Sequence, residues 1–257
     1  MKQLAVLSFV ALSVGAMTQA AAAADLAVRS PPYKAPPPVA IFNWTGCYVG
    51  GNVGGLWSNR EWDDGGIFAG DPFAGQSFGN QSVSSWIGGA QIGCNYQFAG
   101  GWVVGVQGDY DWTSATSSSV NSLVPFFTNQ THIKSLASAT GRIGYAWDRF
   151  LGYVKGGGAW ETADYNGLVT STGVVLSTTS ATLGGWTVGI GGEYAFTEWL
   201  TGFAEYDYYN FGNQSVTLVN AATGFQVPIN VKASDNVFKV GLNLRWGPPA
   251  GPVVAKY

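Results

Sequence analysis

From Trp44 to Trp246, apolar and polar residues alternate with a period of two in segments of 12 to 16 residues. This alternation is typical of β-strands that have one apolar and one polar face. The pattern predicts eight strands, at Trp44–Trp57, Val83–Phe98, Trp102–Ala115, Ser135–Ala146, Phe150–Glu161, Gly184–Phe196, Trp199–Phe211 and Lys232–Trp246.

The connections between these strands alternate in length. The short ones are Ala99–Gly101, Trp147–Arg149 and Thr197–Glu198, and the long ones are 58–82, 116–134, 162–183 and 212–231. A transmembrane barrel has tight periplasmic turns and outside loops that are free to grow, whereas a soluble sheet has little reason to lengthen every second loop. The fold class predicted is therefore all-β, an eight-stranded antiparallel transmembrane β-barrel, in which the long loops face outward.

The predicted strands have faces that suit a membrane wall. In the third strand Val104, Val106 and Tyr110 share one face, and Gln107 and Asp109 share the other. A tilted spanning strand needs about 9–11 residues, which each apolar face provides. Aromatic residues also gather beside the short turns, as in the belt that marks a membrane interface. We assign five tryptophans to this belt: Trp44, Trp102, Trp147, Trp199 and Trp246.

Composition agrees with this prediction. Charged residues make up 11% of the 257 residues, against about 25% in soluble domains, and glycine occurs 37 times. The mean hydropathy of +0.10 is too low for a bundle of membrane helices. The net charge of −3 gives no indication of nucleic-acid binding. Membrane lipid is thus the expected partner, together with envelope or cell-surface partners through the four long loops.

Both ends of the chain carry appendages. Residues 1–23 have one early lysine, an apolar run and a small-residue end, which predicts a cleaved signal peptide. The run is shorter than the ~20 residues of a spanning anchor. Residues 24–43 are rich in proline and predict a periplasmic linker, residues 44–246 the barrel, and 247–257 a periplasmic tail.

Strand parity directs a set of charged residues into the barrel. The set contains five acids and four bases: Asp109, Asp111, Arg142, Lys155, Glu193, Glu205, Asp207, Lys239 and Arg245. An eight-stranded barrel is just wide enough for side chains to fill. Because unpaired buried charges cost several kcal/mol each, we expect an ion-pair network that closes the lumen. Acid–base catalysis by paired carboxylates is the weaker alternative, and we predict no catalytic residues, cofactor or metal site.

The two cysteines fall near the same height on neighbouring strands. Cys47 lies near the start of the first strand and Cys94 near the end of the second, and parity directs both toward lipid. Because the periplasm is oxidising, we predict a cross-strand disulfide. Two free thiols that pack as small hydrophobes are the alternative.

Several segments carry a family resemblance. The opening residues 44–52, WTGCYVGGN, and the later stretches 88–96, 140–145 and 239–243 resemble the Omp25/Omp31-like outer-membrane immunogenic proteins of alphaproteobacteria, a porin-family group of β-barrels. The resemblance runs over nearly the whole chain and implies the bacterial outer membrane as its location. Residues 247–257 depart from the usual aromatic end of such barrels, so either Trp246 or Tyr257 could serve as the assembly signal.

These observations favour a barrel with a structural or surface-interaction role. The family name implies an alternative, a porin or narrow channel for small solutes, although wide aqueous pores have 16–18 strands. An outer-membrane enzyme is the third possibility. It would need a nucleophile, a base and an orienting group, and the single histidine, His132, is poorly placed for this role.

Overall fold

In the computed structural model, residues 42–66, 72, 74–220 and 222–248 are described. They form eight strands: β1 Gly46–Asp64, β2 Ser77–Gln97, β3 Trp102–Val120, β4 Phe127–Trp147, β5 Phe150–Val169, β6 Val175–Ala195, β7 Leu200–Asn220 and β8 Gln226–Trp246. Each strand pairs antiparallel with the next, and β8 pairs with β1 to close the ring. The predicted eight-stranded antiparallel barrel is confirmed. No helix in the described part of the chain is long and apolar enough to cross a membrane.

The strands are longer than predicted, and the predicted extent of the four long loops was wrong. Most of 58–82, 116–134, 162–183 and 212–231 continues as paired strand, so the outward connections are shorter. The Ser, Thr and Asn residues that resembled loop composition alternate with buried apolar residues such as Ile133 and Tyr165. These segments are therefore strands whose outer face is polar. Their high content of Ser, Thr and Asn resembles that of loops, so the alternation of apolar and polar residues was not recognised.

Two belts of exposed aromatic residues encircle the barrel. The lower belt lies beside the short turns and includes Tyr96, Trp102, Trp147, Phe150, Phe196, Trp199 and Trp246. The upper belt, which was not predicted, consists of Trp57, Trp86, Trp112, Trp160 and Trp186. Members of the two belts on one strand are ten residues apart, as in Trp102 and Trp112. At about 3.3 Å per residue and a tilt of about 40°, this distance spans about 25 Å, the height of a membrane-facing apolar band.

The belts divide the barrel into two bands of opposite polarity. In the membrane-level band, between the belts, β1 directs Asn52 inward and Val53 outward. In the outer band, beyond the upper belt, the same strand directs Trp62 inward and Asn59 outward. Buried aliphatic and aromatic residues from all eight strands form a core cluster that extends through the outer band. The barrel is thus polar inside where lipid surrounds it and largely apolar inside where water surrounds it.

Candidate functional site

Two buried lysines occupy the centre of the membrane-level band. Lys239 Nζ lies 3.3 Å from carboxylate oxygens of Asp109, Asp111 and Asp207, and 3.5 Å from Glu205. Lys155 Nζ lies 2.5 Å from Glu205 and 3.2 Å from Asp109 and Asp207. Asn52 donates to Asp111 at 2.9 Å. Two ammonium groups therefore hold four carboxyl groups from two opposite walls in one cluster, which we call the lysine cluster.

Glycine makes room for this cluster on the barrel wall. Gly89 is the cross-strand partner of Asp111, and Gly189 is the partner of Asp207. A Cβ atom at either glycine would collide with the facing carboxylate oxygen. The glycines within these strands thus allow the carboxylates to fold back over the neighbouring strand, which a larger residue would prevent.

A second layer around Arg142 lies between the lysine cluster and the short turns. The Arg142 guanidinium stands between the rings of Tyr48 and Tyr153, at 4.8 and 4.9 Å from their centroids. It donates to Asn95 at 2.8 Å and pairs with Glu193 at 3.4 Å. The Tyr153 hydroxyl donates to Glu205 at 2.9 Å, so the two layers form one connected network.

The end of the barrel that carries the short turns is occupied by residues 42–45, which precede β1. Gly46 has a φ of 144°, which a residue with a Cβ rarely adopts, and the preceding chain turns into the barrel mouth. There Trp44 is fully buried. Its indole donates to the Asp148 carbonyl at 3.0 Å, and the Phe42 amide donates to the Asp148 carboxylate at 3.0 Å. The assignment of Trp44 to the exposed belt was therefore wrong, because strand parity does not extend past Gly46.

Arg245 does not join the ion-pair network either. Its guanidinium donates to the Asn43 carbonyl at 2.9 Å and lies over the rings of Phe42 and Trp44, at 4.6 and 5.5 Å. No ion pair forms between Arg245 and another described residue. Arg245 differs from the other predicted charges because it lies one residue from the end of β8. The barrel mouth there is already filled by the segment that precedes β1. The other eight predicted charges are buried inside the barrel.

A third charged group, which was not predicted, lies where the two bands meet. The Arg60 guanidinium pairs with Glu161 and lies 3.8 Å from Asp235, and all three side chains are buried. Trp62 packs edge-on against Tyr165 just above it, with centroids 5.6 Å apart. Strand parity indicates that these residues point into the barrel. Arg60 has the same parity as Tyr48, and Asp235 has the same parity as Lys239. Arg60 was missed because β1 was predicted to end at Trp57, whereas Glu161 and Asp235 lie within predicted strands, where their inward parity was not used.

Several predicted features of the outer wall have clear positions. A disulfide joins Cys47 to Cys94, which are direct cross-strand partners. Trp102, Trp147, Trp199 and Trp246 are exposed in the lower belt. His132 lies in β4, not in a loop, and its imidazole contacts the Thr116 hydroxyl at 2.8 Å. The predicted signal peptide, most of the linker and most of the tail, including Tyr257, fall outside the described residues.

Comparison with known proteins agrees with this architecture. The family model of the outer membrane protein beta-barrel domain matches residues 7–246. The 31 kDa outer-membrane immunogenic protein of Brucella melitensis is 30% identical over 252 residues, which cover 93% of this chain and 99% of the relative. The 25 kDa outer-membrane immunogenic protein of the same species is 26% identical over 249 residues, which cover 96% of this chain and 100% of the relative.

A solved structure shows the same fold. The outer membrane protein OprG of Pseudomonas aeruginosa superposes with a TM-score of 0.50 at 12% identity, covering 80% of this chain and 99% of OprG. The predicted resemblance and the predicted location in the outer membrane are both confirmed. The chain belongs to the outer membrane protein beta-barrel domain family.

Proposed function

We propose that this protein is a structural and surface-interaction barrel of the outer membrane, whose lumen is closed to solutes and which catalyses no reaction. The observation that carries the proposal is the connected network across the lumen, from Arg142 through Tyr153 and Glu205 to the two lysines. The segment around Trp44 closes the periplasmic end, and the apolar core closes the outer band. Three successive layers thus oppose the passage of a hydrated ion.

The energetics of the lysine cluster support a static role. Lys239 and Lys155 are buried and each contacts three or more carboxylates. Opening a path would separate these charges at a cost of several kcal/mol per ion. The same pairing argues against catalysis, because each carboxylate of the cluster is engaged by an ammonium group.

The outer band supports the surface-interaction part of the proposal. Its strands continue about ten residues past the upper belt, so the wall projects roughly 25 Å above the membrane. The outward connections at its end include exposed residues such as Val124, Phe126, Val174 and Phe225. A rigid barrel that is filled inside holds these turns in fixed relative positions, which suits presentation to an external partner.

Conductance of the purified, refolded full-length protein in planar bilayers tests the closed lumen. We expect no stepwise current from the folded barrel, whose folding is checked by its gel shift on heating. Discrete current steps would overturn the proposal, provided that they pass through the lumen. The variant Lys239→Gln tests whether an observed current passes through the lumen. Because it removes a central positive charge, the cation-to-anion preference of such a current should change. The porin or narrow-channel alternative would then take its place.

A further inference from the structure

One wall of the barrel, formed by β8, β1 and β2, differs from the others just above the upper belt. The cross-strand register places outward side chains there in rows of three. One row is Ser234, Asn59 and Ser82, and the row above it is Lys232, Glu61 and Asn80. These side chains line a groove of about 310 Å³ on the outer surface.

Other walls of the outer band carry polar side chains that contact one another across the strands. Thr116 contacts His132 between β3 and β4, and Lys134 pairs with Asp164 between β4 and β5. Thr162 contacts Thr182 between β5 and β6, and Ser215 contacts Asn230 between β7 and β8.

The grooved wall lacks such pairing. The side chains of Asn59, Asn80 and Ser82 make no hydrogen bond to another described residue, and Glu61 and Lys232 form no ion pair within the described part of the chain although they are cross-strand partners. Amide, hydroxyl and charged groups are thus presented together with their hydrogen-bonding capacity unused. This arrangement is suited to a polar ligand that approaches from outside the barrel.

An apolar groove of about 490 Å³ continues directly below, inside the membrane-level band. The groove is lined by Trp57 and its cross-strand partner Ser84, and then by Phe238, Gly55 and Trp86 in one cross-strand row. Gly55 lies between Phe238 and Trp86, and the Trp57 ring occupies the space that a Cβ atom on Gly55 would need. Because this depth of the barrel is surrounded by lipid, an acyl chain must cover the apolar groove. The headgroup of the same lipid then lies at the level of the polar groove.

We propose that this wall binds one membrane lipid that carries an uncharged sugar headgroup. The apolar groove holds an acyl chain beside Trp57 and Trp86, and the polar groove hydrogen-bonds the sugar hydroxyls through Asn59, Asn80 and Ser82. Charge selects the headgroup class. The charges of Glu61 and Lys232 cancel, and Asp63 adds one negative charge nearby. An anionic phosphate therefore finds no net electrostatic attraction in this groove. Neutral amide and hydroxyl groups instead match both the donors and the acceptors of a sugar.

Lipid retention measured by native mass spectrometry tests this site. The full-length protein is reconstituted in phosphatidylcholine vesicles that contain minor, equal fractions of a monogalactosyl diacylglycerol and of phosphatidylglycerol, and is then released into mild detergent. We expect one galactolipid to remain bound after phosphatidylcholine and phosphatidylglycerol have dissociated. The double variant Asn59→Ala/Asn80→Ala should weaken its retention about tenfold, because two hydrogen bonds are lost.

The matched control is Thr162→Ala/Thr182→Ala, at a similar height on the β5–β6 wall. We expect it to retain the galactolipid as the unmodified protein does. If Asn59→Ala/Asn80→Ala fails the heat-shift test for folding, Ser82→Ala/Ser234→Ala removes the hydroxyls of the same groove instead. Equal retention of the three lipids, preference for phosphatidylglycerol, an unchanged galactolipid signal in the groove variants, or a lipid-free dimer that covers this wall would each overturn the proposal.

Discussion

The membrane-level band and the outer band are built from the same eight strands and differ in which face is apolar. In β4 the membrane-level residue Ile143 is exposed on the outside, whereas Ile133 in the outer band is buried inside. The surrounding medium explains the reversal. Lipid accepts apolar side chains on the wall of the lower band, so its interior can hold the lysine cluster. Water surrounds the outer band, so stability there must come from burial of apolar surface inside the barrel.

The largest test of this comparison is the removal of a buried charge from the membrane-level band. Lys239→Met leaves Asp111 without an ammonium partner and weakens the hold on Asp109, Glu205 and Asp207. We expect a loss of about 3–5 kcal/mol in the free energy of unfolding, measured by urea titration in lipid vesicles. Lys134→Met, which breaks the exposed pair of the outer band, is the control and should cost less than about 1 kcal/mol. Equal losses would show that the lower lumen is well hydrated.

Ile133 and Ile143 offer a matched pair in one strand. Ile133→Ala opens a cavity in the apolar core of the outer band and should cost about 3 kcal/mol. Ile143→Ala removes atoms that face lipid, where the neighbouring lipid tails can adjust, and should cost under about 1 kcal/mol by the same titration. If the two variants lose equal stability, the interior of the outer band is not a close-packed core.

Arginine substitutions on the outward face of β1 test where the membrane ends. Val53→Arg introduces a charge near the middle of the membrane-level band and should cost about 2–3 kcal/mol. Asn59→Arg lies beyond Trp57 on the same face and should leave the unfolding free energy within about 0.5 kcal/mol. The measurement is again folding into lipid vesicles. A large penalty at Asn59 would place the membrane boundary higher than the upper belt.

The smallest expected effect is a pH dependence in the outer band. Partial burial raises the pKa of Asp164, but the hydrogen bond and charge of Lys134 outweigh it and hold the pKa below its ordinary value. The pair therefore contributes stability above the unfolded carboxyl pKa of about 3.9, and the contribution is lost as the pH falls through the lower folded value. Because the pair is well exposed, at most about 0.5 kcal/mol is involved. Unfolding curves of Asp164→Asn at neutral and acid pH should lack this increment.

The sequence predicted the architecture well because the period of two and the turn residues are local properties. Asp109, Lys155 and Lys239 were assigned to the lumen from parity alone, and Cys47 and Cys94 were matched from their heights on adjacent strands. Prediction failed where the strands pass from lipid into water and where the chain leaves the sheet. The polar outer faces of the upper strands resembled loops, and Trp44 precedes β1, where parity no longer applies. Arg245 points inward as parity predicts, but it meets the segment around Trp44 instead of an acidic residue.

The sequence by itself determined the strand count, the inward charges and the lower aromatic belt, since each follows from the alternation along a single strand. The tertiary structure decided which charges meet, because Lys239 reaches Asp109 and Glu205 only after the ring closes between β8 and β1. It also decided the height of the barrel and the reversal of polarity, which depend on cross-strand register. The filling of the barrel mouth by Phe42 and Trp44 depends on a contact with Asp148, more than a hundred residues away, which no local pattern encodes.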